Sequence, residues 1–287
     1  QGNIAQDVKF ASGGLDLAIK RYFALIPATG ADRADLVVLP ESAFPLPLED
    51  LPPDVRQGLQ DFADSGHTAL ILGAFIEEPR YRYFNSAVGL QTGRPAQRYS
   101  KRHLVPFGEF IPFGFRWSVD LLNTPIGDQE RGEPYQPPMR LAGQRIAVNI
   151  CFEDLFGEEI ISAWRDREAQ PTLLLNLSNL GWFGDSIALP QHLQISRMRA
   201  LETAHPMLRA TNTGATAIID PHGRVRAQIP FLSVEVLRGQ VTGVAGITPF
   251  IVVGNSVALA LAAAMLAAAF IRARRRALGA RDLSGGP

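Results

Sequence analysis

The chain has 287 residues, enough for one large domain or two ordinary ones, and 46% of them are hydrophobic, enough to bury a core. Its 28 basic and 28 acidic side chains cancel formally, but Arg272, Arg274, Arg275, Arg276 and Arg281 oppose only Asp282 in the tail, so residues 1–271 hold 23 basic and 27 acidic side chains. A mildly acidic body offers no electrostatic footprint for nucleic acid. The single cysteine, Cys151, excludes an internal disulfide. The histidines His67, His103, His192, His205 and His222 lack zinc-ligand spacing and read as packing or surface residues, and there is no glycine-rich phosphate loop. Neither a metal nor a cofactor is implied.

In chain order, Gln1-Gly-Asn-Ile has no methionine, basic n-region or apolar signal stretch, so the sequence reads as the remainder of a longer protein. Residues 36–39 form an unbroken apolar run, a buried strand; Val55, Leu59 and Phe62 recur at helical spacing within 53–65; residues 68–76 read as a strand. Residues 83–90 and 95–99 flank the turn-like Gln91-Thr-Gly-Arg94 and predict a hairpin. Between 107 and 122, Phe107, Phe110, Ile111, Phe113, Phe115, Trp117, Leu121 and Leu122 crowd a segment broken by Pro112 and Gly114. It is either a lid folded into the core or a loop dipping into a membrane interface, and large aromatics near a membrane-anchored site favour the second reading.

A strand at 145–150 ends at Cys151; a helix is expected near 158–166, a strand at 172–177 and a helix at about 191–203. Residues 215–220 and 225–229 predict a second hairpin around Pro221-His-Gly-Arg224, and 234–241 a last strand. Asn176-Leu-Ser178 matches a glycosylation acceptor, but its place on an apolar strand favours chance. Interleaved strands and helices give an α/β fold class. From Phe250 to Ile271 there is no charge, and those 22 residues as a helix span about 33 Å, the hydrocarbon thickness of a bilayer. The arginines that follow predict a membrane span at 247–271 with residues 272–287 as a basic cytoplasmic tail. The body, residues 1–246, then lies on the opposite face, the periplasm of a Gram-negative cell.

Taken alone, a thiol at the tip of a buried strand is either a nucleophile or a small core hydrophobe. Asp35-Leu-Val-Val-Leu-Pro-Glu41 ends a second strand in a carboxylate, and Lys101-Arg-His-Leu-Val-Pro-Phe-Gly-Glu109 supplies an amine and another carboxylate. Thiol, base and fixed cation are the parts that acyl transfer through a thioester requires. In this order and spacing, with Cys151-Phe-Glu153, they resemble the Glu-Lys-Cys set of the nitrilase superfamily. Further on, Asn176-Leu-Ser-Asn-Leu-Gly-Trp-Phe-Gly184, Gln191-His192, Arg197-Met-Arg-Ala-Leu-Glu202 and Arg209-Ala-Thr-Asn-Thr-Gly-Ala-Thr216 resemble its membrane branch, the apolipoprotein N-acyltransferases.

The resemblance implies a nitrilase-like four-layer αββα sandwich, followed by one C-terminal transmembrane helix. It implies Cys151 as nucleophile, Glu41 as general base and Lys101 as the oxyanion-stabilising cation, with Glu109 and Glu153 in support. It also implies an acyl chain taken from phospholipid and passed to the N-terminal diacylglyceryl-cysteine of an apolipoprotein at the inner membrane, without cofactor or metal. In that family Gln1-Gly-Asn-Ile lies at the end of the first strand, and a bundle of membrane helices precedes the domain. Phe152 departs from the family's frequent tyrosine, keeping the ring and losing the hydroxyl, and residues 179–185 are expected in the pocket wall. Two other readings stand beside the transferase: a membrane-tethered amidase using water as acceptor, and a non-catalytic lipoprotein-binding module.

Overall fold

A computed structural model of the chain describes residues 1–27, 34–64, 66, 68–113 and 129–283. Helices α1 (Gln6–Lys9) and α2 (Gly14–Leu25) lead into strand β1 (Leu36–Val38), helix α3 (Pro53–Asp64) and strands β2 (Ala69–Glu78), β3 (Arg82–Leu90) and β4 (Gln97–Ser100). After β5 (Met139–Leu141) and β6 (Gln144–Ile150) come α4 (Gly157–Ile161), β7 (Leu173–Ser178) and α5 (Ala188–Thr203). Strands β8 (Met207–Thr211), β9 (Ala217–Ile219) and β10 (Val225–Gln228) follow, and the chain closes with α6 (Pro249–Val253) and α7 (Ser256–Leu283).

The strands form two sheets, in the orders β1-β2-β3-β4 and β10-β9-β8-β7-β6-β5. Within them β1 runs parallel to β2, and β6, β7 and β8 run parallel to one another. A parallel strand covered on both faces needs apolar side chains at every position, which is why Leu70, Ile71 and Leu72 in β2 and Leu173, Leu174 and Leu175 in β7 are consecutive and buried. Each such side chain contributes roughly 1.5–3 kcal/mol by leaving water.

Three apolar clusters result. Val55 and Leu59 of α3 and Ala18 and Tyr22 of α2 pack on Leu70 and Leu72 of β2. Ile71 and Ala87 of the first sheet meet Met139, Ile146, Val148 and Leu175 of the second. On the other face of that second sheet, Ala147, Leu174 and Met207 pack against Ile160, Trp164, Leu193 and Ala200.

Several predicted elements are displaced or absent. The helix expected over 158–166 is a five-residue α-helix continued by a 3₁₀ turn at Ser162–Trp164. Residues 234–241 join neither sheet: Glu235 exchanges backbone hydrogen bonds with Gln1 (3.0 and 3.3 Å), and residues 236–240 line a cavity of about 490 Å³ between β1 and the β8–β9 end of the second sheet. Strand β8 and helix α2 were not anticipated at all, the strand because Arg209 and Thr211 interrupt its apolar pattern. In the aromatic segment Phe113 is fully exposed, whereas Phe115, Trp117, Leu121 and Leu122 lie outside the described residues.

The apolar C-terminus is helical but not continuous. The Thr248 hydroxyl accepts from the Ile251 N–H and caps α6, which ends at Gly254 with φ 53° and ψ −136°. Residues 256–274 are long and apolar enough to cross a membrane, with mean hydropathy 2.0 and none of that stretch buried in the body. The junction is pinned to the body. The Glu158 carboxylate accepts from the Asn255 N–H (2.6 Å), and the Thr248 hydroxyl also donates to the Glu202 carbonyl (2.6 Å). Only glycine fits at 254, because a Cβ there would strike the Glu158 carboxylate and the backbone is left-handed.

Candidate active site

Glu41, Lys101, Cys151 and Asn179 all sit just beyond strand ends, after β1, β4, β6 and β7. Because β2 is parallel to β1 and two antiparallel steps bring β4 back to the same direction, Glu41 and Lys101 leave the same edge of the first sheet. Carboxyl ends of strands are where α/β sheets leave room for ligands.

The two residues meet there in the protein interior. Lys101 Nζ lies 3.4 Å from Glu41 Oε1 and 2.7 Å from Glu109 Oε1, and its side chain is 1% exposed. Asn85 on β3 donates its amide to both carboxylates, at 2.8 Å to Glu41 and 3.2 Å to Glu109. The backbone N–H of Asn179 donates to the other Glu41 oxygen at 2.7 Å, and that of Val105 to the other Glu109 oxygen at 2.8 Å. Glu41 can approach β2 this closely because Gly73 has no side chain: a Cβ there would lie 2.5 Å from the Glu41 Cα. Behind it the buried Lys9 Nζ donates to the Glu41 carbonyl (3.5 Å), and burial, partly offset by the Glu41 charge, lowers Lys9 to about 8.

Cys151 opens a 3₁₀ turn, Cys151–Leu155, with φ at 55°, a left-handed conformation that costs a residue with a side chain roughly 1–2 kcal/mol. Its carbonyl accepts from the Asn176 side chain (2.9 Å). Burial, then the Glu41 charge, push the thiol far above its ordinary value, while Lys101 acts in the opposite direction. Burial also works against the Lys101 charge, but Glu41, Cys151 and Glu109 outweigh it and hold the amine above the usual lysine value.

Glu153 fastens the two loops together. Its Oε2 accepts from the Ile150 N–H (2.6 Å) and the Tyr99 hydroxyl (3.0 Å), and its Oε1 from the N–H groups of Arg102 (2.7 Å) and His103 (3.1 Å). The residue before Cys151 and the two residues after Lys101 thus share one carboxylate. Burial raises it to about 7 despite the three backbone donors. Phe152 packs edge-on against His103 and Phe156, with Lys101 Nζ 5.3 Å from its ring centre.

Sequence reasoning did not find Asn85, Tyr99 or the Asn179 N–H. Asn85 had a signal: an amide inside a buried strand needs a partner. Asn176 is fully buried and bonded to Asn149 (2.7 Å), so it is no glycosylation site. Beyond Asn179, Trp182 and Phe183 are exposed. Among the described residues no group of three or more His, Cys, Asp or Glu side chains is arranged to hold a metal ion.

A carboxylate, an amine and a thiol on loops at the carboxyl ends of two mixed sheets match the protein class to which the sequence points: residues 11–246 match the carbon-nitrogen hydrolases, and the chain belongs to that family. The apolipoprotein N-acyltransferase of Ralstonia nicotianae is 50% identical over 276 residues, covering 96% of this chain and 52% of that protein. The apolipoprotein N-acyltransferase of Nitrosomonas europaea is 44% identical over 284 residues, covering 97% of this chain and 56% of its own. The chain spans about half the length of the curated relatives it matches. Among solved structures, the C. elegans NitFhit protein aligns with TM-score 0.59 at 20% identity, over 77% of this chain and 56% of that one. A carbon-nitrogen hydrolase from Helicobacter pylori G27 aligns with TM-score 0.55 at 17% identity, over 77% and 81%. These two likenesses are of fold.

Proposed function

We propose that the chain is the catalytic part of an apolipoprotein N-acyltransferase, with residues 1–246 as the reacting body, 247–271 as a membrane span and 272–287 as a cytoplasmic tail. The observation that carries the chemistry is the Lys101 ammonium held between the Glu41 and Glu109 carboxylates, with its charge and that of Glu41 both acting on the Cys151 thiol. The names of the relatives support a lipoprotein as acyl acceptor, the apolar helix supports a reaction at a membrane, and the arginines after that helix support a body on the periplasmic side of the inner membrane, with phospholipid taken as the acyl donor.

In this reading Glu41 takes the thiol proton as sulfur attacks an ester carbonyl of a phospholipid, and the developing oxyanion is stabilised by Lys101. The carbon–oxygen bond then breaks, the lysophospholipid alkoxide recovers the proton from Glu41, and the acyl chain remains as a Cys151 thioester. The α-amine of the diacylglyceryl-cysteine attacks next; Glu41 accepts the amine proton, sulfur leaves, and the thiol is restored. Glu109 holds the lysine and Glu153 the two loops. Phe152 has no hydroxyl to offer and keeps only the ring contacts.

The test is the intact mass of the protein, with its upstream segment restored, after incubation with phospholipid. One added acyl chain is expected, removable by neutral hydroxylamine and absent in Cys151→Ala. Adding a diacylglyceryl-cysteinyl peptide should discharge it to N-acyl peptide, and blocking the peptide's α-amine should prevent discharge. Rapid release of free fatty acid regardless of peptide would favour an amidase using water, and no adduct at all would favour a binding module.

A further inference from the structure

Four polar side chains beneath the nucleophile turn take no part in that chemistry. Asp154, three residues after Cys151, is completely buried; its Oδ2 accepts from the Ser196 hydroxyl (2.5 Å) and from Arg209 Nη1 (3.2 Å). Arg209, itself 2% exposed, also donates to Ser196 Oγ (2.5 Å) and to the His192 carbonyl (3.4 Å), and its other terminal nitrogen contacts His192 Nδ1. A ring nitrogen facing a guanidinium is an acceptor, so the His192 proton belongs on Nε2, which points at Asp154 Oδ1 from 3.6 Å. Burial, with Arg209 and Lys101, lowers His192 to about 2 and keeps it neutral. The cluster therefore contains one cation and one anion.

Sheet register ties this couple to the nucleophile. Asn149, Asn176 and Arg209 are direct partners across β6, β7 and β8, so their side chains share one face, and neighbouring strands lie about 4.8 Å apart. Asn149 precedes Cys151 by two residues, and Asn176 grips both the Asn149 side chain and the Cys151 carbonyl. Desolvation of a buried ion pair roughly cancels its attraction, so stability alone gives no reason for charges here.

We infer that Asp154 and Arg209 form a buried charge couple that sets the readiness of the Cys151 thiol to ionise, Arg209 favouring the thiolate and Asp154 restraining it. Both are positioning residues, acting on sulfur without touching substrate. The charged groups acting on Cys151 are Glu41 beyond β1, Lys101 beyond β4, Glu109 in the loop after it, Asp154 in the turn itself and Arg209 on β8. Asp154 is among those that raise the thiol, and Cys151 among those that favour the Arg209 cation.

The experiment follows alkylation of Cys151, the only cysteine, by iodoacetamide from pH 7 to 10, using the whole chain in detergent micelles. Below the thiol's midpoint the rate tracks the thiolate fraction, so Asp154→Asn should react roughly three- to tenfold faster and Arg209→Gln slower by a similar factor at each pH. Arg209→Lys, which keeps the charge, should stay near the wild-type rate. Shifts of the same sign in the two neutralising variants, or none, would overturn the inference, since loosened packing has no reason to act in opposite directions. Should one of them fail to fold, the other arm decides. Should both fail, Asp154→Ser and Arg209→Met take their place with the same opposite expectations, and rates that move together or not at all overturn the idea.

Discussion

Replacing Glu153 by alanine removes the acceptor for three backbone N–H groups and one phenol. The Ile150 N–H is buried and the Tyr99 hydroxyl nearly so, while Arg102 and His103 lie closer to water. An orphaned buried donor costs about 1–3 kcal/mol, so these first two alone predict a loss of about 2–6 kcal/mol. Glutamine keeps one carbonyl oxygen and turns the other acceptor into a donor, which predicts about half that loss. The assay is urea unfolding of the micelle-bound protein, comparing wild type, Glu153→Gln and Glu153→Ala at several pH values. The pH arm has a definite sign. With the carboxyl raised from 4.5 to about 7, the folded protein holds a proton that the unfolded chain has released. Stability from this group is complete below 4.5 and is lost as pH rises through 7, by up to about 1.4 kcal/mol per unit. The wild-type minus glutamine difference should isolate that slope from the parallel effect of Asp154, raised to about 6. An alanine variant within about 1 kcal/mol of wild type would refute the reading of Glu153 as the fastener of both loops.

Two further outcomes follow from backbone geometry. Cys151→Gly should be more stable than Cys151→Ala by about 1 kcal/mol in the same unfolding assay, because both lack the thiol and only glycine accepts the left-handed φ without cost; equal stabilities would mean the turn relaxes. Gly254→Ala should push the Glu158 carboxylate away and open the α6–α7 junction, read as faster protease cleavage between residues 246 and 256, whereas an unchanged digestion pattern would show that the junction tolerates a side chain.

Much of this arrangement is legible in the sequence. The strands before Glu41 and Cys151 announce themselves because buried parallel strands are runs of branched aliphatics, and a carboxylate or thiol just beyond such a run is conspicuous, whereas Lys101 follows the polar strand Gln97–Ser100 and stands out only through the residues after it. The apolar C-terminus was equally plain, yet its break at Gly254 was not, since the cause is a contact with Glu158, almost one hundred residues earlier. Strand β8 was hidden because Arg209 reads as a surface residue until Asp154, Ser196 and His192 surround it. The Asn179 N–H was invisible because it is a backbone atom whose partner, Glu41, is distant in sequence, and Asn85 showed only that a buried amide needs a partner, not that the partners are Glu41 and Glu109. Residues 234–241 mislead in the opposite sense, having strand-like composition but facing a cavity where a neighbouring strand would lie.

The joint between α6 and α7 also governs how this machine can move. A body on a slack tether sweeps a hemisphere and samples many heights; here Thr248 and Asn255 are fastened to Glu202 and Glu158, and Glu158 lies seven residues beyond Cys151. With α7 upright in a bilayer, such a joint works like a davit welded to its mast. Under the function proposed above, the sulfur would keep one altitude above the lipid plane, searching would become a two-dimensional drift, and an incoming chain end would be selected by how far it rises from the surface as well as by its chemistry.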